Sequence, residues 1–359
     1  MNSTSIVGWE AIQSGHSGNP RHRPNGPARI IRKSHSRQHR RFLVILPEWQ
    51  LSFLASSPGQ HPPDSAFNHA NLNLLCIMLL TSGTYGNVTM NKPNKDDLLN
   101  LNGQIAFVTG AGQGAGRAIA LLLAKHNAGG IAVNDFVEEK AAAVAEEIRA
   151  LGVPACAAPA DVGDIHQVKL AVSRAEATLG AMSILVNNAG NAGPSVQMQL
   201  SPLFWETDPA DWERYFHTNL KGVMNCCHSL LPGMVRLNHG RVVTIVSDAG
   251  RVGEPRLAAY SAAKAGATGF MRALAKETGR YNITCNSISL STLEPALPEP
   301  QLAEFLASDR ARAHVERYVV RRFGKAEDVA SMTLFLCSDA AAWITGQTYP
   351  VNGGYTFAQ

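Results

Sequence analysis

Between residues 104 and 351, short apolar runs alternate with longer stretches whose apolar residues recur at helical spacing. The runs 104–109, 130–133, 155–160, 182–186, 240–246 and 283–289, with a last one near 347–351, read as strands. Stretches 138–151, 165–179, 211–231 and 259–279 read as helices. So does the segment after the first strand, where Ala118, Ile119, Leu122 and Leu123 share a face. Val144, Ile148 and Leu151 form the equivalent face within 138–151. This alternation predicts an α/β fold, a single doubly wound parallel sheet with helices on both faces. Ligands of such sheets bind beyond the carboxyl ends of the strands, where this chain puts Asp161, Asn188 and Ser247. Stretch 298–318 reads as helical, with Leu302, Phe305 and Leu306 on one face. It suits a lid over a site and packing against the sheet edge equally well.

The first quarter lacks that pattern. Residues 21–41 are rich in Arg, His, Pro and Ser without apolar periodicity, the composition of a disordered segment. The apolar runs 42–46 and 74–80 are far shorter than the about 20 residues a spanning helix needs. The basic stretch is too long and too late for a secretory signal. Pro20, Pro24 and Pro27 oppose the amphipathic helix of a transit peptide, which stays the alternative. Residues 1–89 are therefore expected to be a disordered or non-native extension ahead of a start at Met90, with 90–359 as one catalytic domain. The length of 359 residues, which by itself suggests about two domains, reduces to one.

Composition changes the picture in two places. The net charge of +4 comes from the first quarter, where eight Lys and Arg face three Asp and Glu. The remainder is near neutral, so the charge gives no support for a nucleic-acid partner. With 45% apolar and 17% charged residues, the chain is neither a polytopic membrane protein nor disordered throughout. The six cysteines form no CxxC and no Cys/His zinc spacing. They read as reduced, mostly buried thiols of a cytoplasmic protein, with no metal site.

The strand 104–109 runs into Gly110-Ala111-Gly112-Gln113-Gly114-Ala115-Gly116 and then a helix. Glycine permits the tight turn and close approach to a pyrophosphate, and the helix N-terminus offers free N–H groups to it. Asp135 follows the second strand, where a carboxylate accepts hydrogen bonds from the adenosine ribose and repels a 2′-phosphate. A lone glycine cluster is an ordinary turn; the strand before, the helix after and the carboxylate beyond make it a nucleotide site. Tyr260 and Lys264, four residues apart, share a helix face, so that an ammonium stands beside a phenol that is otherwise a poor base.

TGAGQGAG (109–116), Asp161-Val162, NNAG (187–190), HTNLKG with Asn219, Ser247, YSAAK (260–264), RRFGKAEDVA (321–330) and ITGQTYPVNGG (344–354) together resemble the short-chain dehydrogenases/reductases over about 101–357. The resemblance implies a Rossmann-fold oxidoreductase acting on CH–OH groups, with Asn219, Ser247, Tyr260 and Lys264 as the catalytic set. Ser247 stands thirteen residues before Tyr260, and Asn219 stands 28 before Ser247, as in that family. It implies that Ser247 holds the substrate oxygen, Tyr260 moves the hydroxyl proton, Lys264 also bonds the nicotinamide ribose and Asn219 holds a water linking Lys264 to solvent. Asp161 and Val162 would contact adenine, and Asn188, Ala189 and Gly190 would line the nicotinamide ribose. NADP-preferring members often carry Arg or Lys where this chain has Gln113 and Phe136, so NAD(H) is expected over NADP(H).

The sequence departs from the family after 283–289. Leu290-Ser291 replaces the usual Pro-Gly, Pro295 stands near an expected Thr that meets the cofactor phosphates, and Thr292 is out of register. Arg310, Arg312, Arg317, Arg321 and Arg322 would suit a phosphate-bearing acyl carrier, although a solvated helix face is the commoner meaning of such a run. Ser247-Asp248-Ala249-Gly250-Arg251-Val252-Gly253 is similar to members acting on hydroxyacyl or ketoacyl thioesters. The alternatives are a steroid, sugar or other small secondary alcohol, and a non-catalytic NAD-binding regulator. The family also implies a homodimer or homotetramer through 211–231, 259–279 and the last strand.

Overall fold

The computed structural model of the protein describes residues 97–191 and 202–357. The expectations for residues 1–89, and for a start at Met90, fall outside the described residues.

The strands are β1 (Ile105–Val108), β2 (Gly130–Val133), β3 (Ala155–Ala157), β4 (Ile184–Asn187), β5 (Gly240–Ser247), β6 (Ile283–Leu290) and β7 (Thr348–Val351). They form one sheet in the order β3-β2-β1-β4-β5-β6-β7. All of its pairings are parallel. The α/β expectation is met. The central strands are buried on both faces, so they read as continuous apolar runs rather than alternating ones. Along β1 the side chains divide: Ala106 and Val108 join one core and Phe107 the other.

The first core packs α1 (Gly114–Lys125) and α2 (Glu138–Ala150) on one face of the sheet, through Ile119, Leu123, Val144 and Ile148. The second packs α3 (Ile165–Leu179), α5 (Gly222–Leu237) and α7 (Ala258–Thr278) on the other, through Val168, Val172, Leu230 and Met271. The N-terminus of α3 is capped by Asp164, which accepts from the backbone N–H groups of His166 and Gln167.

Four local differences from the sequence pattern have physical causes. The helix expected over 211–231 is interrupted. A short α4 (Glu213–Phe216) passes through a π turn (His217–Lys221) into α5. Then α5 continues past Pro232, whose missing N–H falls on the exposed face, and ends where Asn238 adopts the left-handed conformation at φ 50°. The lid segment is two helices, α8 (Glu299–Ala307) and α9 (Asp309–Val315), because Ser308 is extended and its hydroxyl caps α9 through Ala311 N–H. Leu302 and Phe305 are half-buried there, and Leu306 is exposed. A helix over Ala326–Cys337, numbered α10, follows the RRFGK segment, where only a motif was recognised. A four-residue α6 (Ala249–Val252) follows β5. Among the described residues, no helix is long and apolar enough to cross a membrane, and no group of acidic, His and Cys side chains is placed to hold a metal.

Candidate active site

The turn after β1 requires glycine at two positions. Gly110 has φ +58°, and a Cβ there would stand 2.8 Å from the Cα of Ala189. A Cβ on Gly116 would stand 2.2 Å from the carbonyl oxygen of Gly110. The turn is thus pressed against the end of β4. Asn188 braces the contact, its amide donating to the carbonyls of Thr109 and Gly110 at 3.0 Å each. The Thr109 hydroxyl accepts from the N–H groups of Asn188 and Ala189. Above the turn lies a groove of about 470 Å³, lined by Gly110, Gln113 and Gly114 on one side and by Asn188, Ala189 and Gly190 on the other. Ala115 and Gly116 follow in the first turn of α1 and are not among the lining residues. Gln113 makes no side-chain cap bond to α1, and a Cβ on Gly114 would meet nothing within 4 Å. An open cradle at a helix N-terminus fits a pyrophosphate.

Asp135, Asp161 and Val162 line the far end of the groove. The Asp135 carboxylate accepts from Gly112 N–H and Val137 N–H, both at 3.0 Å. Lys140, in the first turn of α2, reaches back and donates from Nζ to Gln113 Oε1 at 2.8 Å. Neither Gln113 nor Phe136 offers a cation in the sequence; this one is delivered by the fold of α2 and not by the loop. Asp161 accepts from Gly163 N–H at 2.9 Å and lies 3.0 Å from His217 Nε2. A Cβ on Gly163 would overlap the His217 ring, standing 2.1 Å from Nε2. Neither His217 nor its pairing with Asp161 carries a signal in the sequence. Val162 is buried against Gly222, and its carbonyl accepts from Asn225.

Asn219, Ser247, Tyr260 and Lys264 converge from three elements, the π turn, the end of β5 and α7. Ser247 ends β5, accepts from Ala249 N–H at 3.2 Å and faces the Tyr260 phenol, whose pKa it draws down. Tyr260 lies in the first turn of α7, and Lys264 one turn later is 4% exposed. Lys264 Nζ donates to the Ile245 carbonyl at 2.9 Å and stands 5.9 Å from the centre of the Tyr260 ring. Asn219 sits fully buried in the π turn, a helix irregularity often found at functional sites. Its amide donates to the carbonyls of Asn191 and Tyr215 and accepts from Asn191 N–H. Gly190 joins the group to the groove: a Cβ there would stand 3.2 Å from both Asn219 Oδ1 and Lys264 Nζ.

Burial pulls the Lys264 ammonium down to about 8. Burial also pushes the Tyr260 phenol above its ordinary value, against the opposing hydrogen bond from Ser247. The sequence points to Lys264 as the cation that stabilises the phenolate. In the protein alone desolvation outweighs any such help, and Tyr260 is held as a proton donor.

The loop after β6 is tied to the segment that follows α8. Thr292 Oγ1 meets His314 Nε2 at 3.0 Å, and the Tyr318 hydroxyl bonds both Ser291 Oγ and Thr292 N–H. Ser291 and Thr292 line a second cavity of about 410 Å³ with Tyr318, Arg322 and Asn352. The arginine run is largely engaged locally: Arg312 pairs with Asp309, Arg322 with Asp328, Arg317 with the Tyr355 hydroxyl and Arg321 with the Glu316 carbonyl. These contacts agree with a solvated face.

Residues 110–356 match the family described as enoyl-(acyl carrier protein) reductase. The 3-oxoacyl-(acyl-carrier-protein) reductase of Staphylococcus aureus is 37% identical over 250 residues, 69% of this chain and 96% of that protein. The cyclohexanol dehydrogenase of an Acinetobacter species is 34% identical over 255 residues, 71% of this chain and 96% of that protein. A gluconate 5-dehydrogenase of Burkholderia cenocepacia, solved with NADP and tartrate, superposes with a TM-score of 0.65 at 32% identity over 73% of this chain and 99% of that one. A 7α-hydroxysteroid dehydrogenase, solved with NADH and 7-oxo glycochenodeoxycholic acid, gives 0.64 at 30% identity over 73% and 97%. With the fold, the glycine cradle and the Asn-Ser-Tyr-Lys cluster in place, the chain belongs to the short-chain dehydrogenase/reductase family and is an NAD(P)-dependent oxidoreductase transferring hydride between cofactor and an alcohol or ketone.

Proposed function

We propose that Asn219, Ser247, Tyr260 and Lys264 are the catalytic set, that NAD(H) is the preferred cofactor, and that the substrate is a ketoacyl or hydroxyacyl thioester. The observation that carries the mechanism is the buried Lys264 one turn beyond Tyr260, its Nζ 5.9 Å from the phenol ring centre, with Ser247 facing the same phenol. Gly110, Gln113 and Gly114 would hold the pyrophosphate, with Ala115 and Gly116 shaping the cradle. Asp135 would hold the adenosine ribose, Asp161 and Val162 the adenine, and Asn188, Ala189, Gly190, Tyr260 and Lys264 the nicotinamide ribose. When bound, the nicotinamide supplies or accepts the hydride.

In the reducing direction Ser247 donates to the substrate carbonyl oxygen while Tyr260, kept protonated by burial, delivers its proton to that oxygen. The Lys264 charge then stabilises the phenolate left behind. Asn219, locked to Asn191 and Tyr215, holds the floor of the site in register with Lys264. Asp135 disfavours a 2′-phosphate, and Lys140 moderates that preference.

The Staphylococcus reductase and the segment around Ser247-Asp248 support the thioester reading. The Acinetobacter enzyme supports a second, a small cyclic secondary alcohol. Acetoacetyl-CoA and cyclohexanone, each assayed with NADH and NADPH, separate them. The expected result is the highest kcat/KM for acetoacetyl-CoA with NADH, and turnover of cyclohexanone alone would overturn the substrate assignment. The protein is proposed to work as a homodimer or homotetramer through α5, α7 and β7, which light scattering of the purified chain tests.

A further inference from the structure

The residue next to Ser247 has no role in the reading above. Asp248 is 2% exposed, and its carboxylate is held from three directions. Its Oδ1 accepts from the Ser289 hydroxyl at 2.6 Å and from the Arg251 guanidinium at 3.0 Å. Its Oδ2 accepts from the Asn352 amide at 2.6 Å. Ser289 belongs to β6 and Asn352 follows β7, so one carboxylate ties the end of β5 to the adjacent strand and to the one beyond it. The backbone repeats the tie, with Asp248 N–H donating to the Leu290 carbonyl at 2.9 Å.

Arg251 extends the network to the C-terminal segment, donating to Thr356 Oγ1 at 3.0 Å and to the Phe357 carbonyl at 2.7 Å. Asn352 meets the same segment through the Thr356 carbonyl and hydroxyl. Between them lies α6, whose Gly250 packs so close to α7 that a Cβ would stand 2.9 Å from the Cβ of Lys264. The short stretch that starts at Ser247 is therefore clamped from one side by Asp248 and pressed on Lys264 from the other. Buried, fully bonded carboxylates hold their neighbours in one arrangement, because loss of a partner leaves a desolvated group unpaired.

We propose that Asp248 is a positioning residue for Ser247, and that Arg251, Ser289 and Asn352, with the C-terminal segment Thr356–Phe357, form the clamp through which it acts. The proposal rests on the assignment of Ser247 to the catalytic set. The oxygen of Ser247 must stay within hydrogen-bond reach of both the Tyr260 phenol and a substrate carbonyl, a tolerance of about half an ångström. The clamp supplies that precision from outside the site.

A double-mutant cycle in the full-length protein tests it. With acetoacetyl-CoA or cyclohexanone, whichever the wild type reduces faster, Asp248→Asn is expected to lower kcat about 30-fold, with KM and the NADH dissociation constant within about twofold. In a Ser247→Ala background the same change is expected to cost less than about threefold, because the group it positions is gone. An equal cost in both backgrounds, or no cost in the wild type, overturns the proposal. A fully active Ser247→Ala overturns the assignment of Ser247 itself, a distinguishable result. If Asp248→Asn does not fold, Arg251→Lys runs the same cycle. It keeps a charge for Asp248 but loses the second branch to Phe357, and it is expected to lower kcat about fivefold in the wild type and not in Ser247→Ala. An unchanged kcat in Arg251→Lys overturns the C-terminal part of the clamp.

Discussion

The two halves of the site are built in different ways. From β1 to β4 the groove is shaped by absent side chains: Gly110, Gly114 and Gly116 leave room, and the contacts proposed for the pyrophosphate are main-chain ones. From β5 to β7 the site is shaped by buried charge. Lys264 and Asp248 are both nearly inaccessible, and each is held by partners far away in sequence. The first half depends on steric clearance, which one methyl group destroys. The second depends on protonation and alignment, which fail without the fold failing.

Gly116→Val is the harshest test of the first half. Its added carbon would stand against the Gly110 carbonyl and force the turn off Asn188. The expected cost is about 1–3 kcal/mol of stability with at least about 100-fold weaker NADH binding, read by thermal melting and fluorescence titration. Binding within about threefold of the wild type would show that clearance does not shape that half.

The second half answers to pH. Lys264, pulled down to about 8, carries its charge below that value and loses it above. The rate constant kcat/KM for NADH in ketone reduction reports the free enzyme. It is expected to be level at neutral pH and to fall about tenfold per unit well above 8, as the charge that supports the Tyr260 phenolate disappears. A profile flat to pH 10 would contradict this.

The smallest effect is expected at the join between nucleotide and solvent. Lys140→Ala removes the cation beside Gln113, and the ratio of NADPH to NADH dissociation constants is expected to rise about threefold to tenfold. The screened, exposed position of Lys140 limits its size.

What could be read from the sequence follows the same division. The glycine turn, Asp135 and the strand endings are local features, because each strand feeds directly into the loop that lines the groove. The pairing of Tyr260 with Lys264 one helical turn on was a local feature too, whereas Ser247 and Asn219 were placed by the family resemblance. Lys140, His217 and Asp248 were not legible, since each acquires its meaning from a partner on another element: Gln113, Asp161 and Asn352. The π turn at His217–Lys221 was equally hidden, because a single inserted residue in a helix leaves the apolar pattern almost unchanged. The break at Ser308 and the continuation of α5 past Pro232 depend on which face meets solvent, which a one-dimensional pattern does not specify.

The central claim is that Tyr260 moves the proton while hydride is transferred. Tyr260→Phe keeps the ring and its contact with Tyr215 and removes the hydroxyl that meets Ser247. Steady-state turnover measured beside NADH titration should show kcat about 10³-fold lower, with the NADH dissociation constant within about twofold. A variant that binds NADH normally and turns over at the wild-type rate would contradict the account.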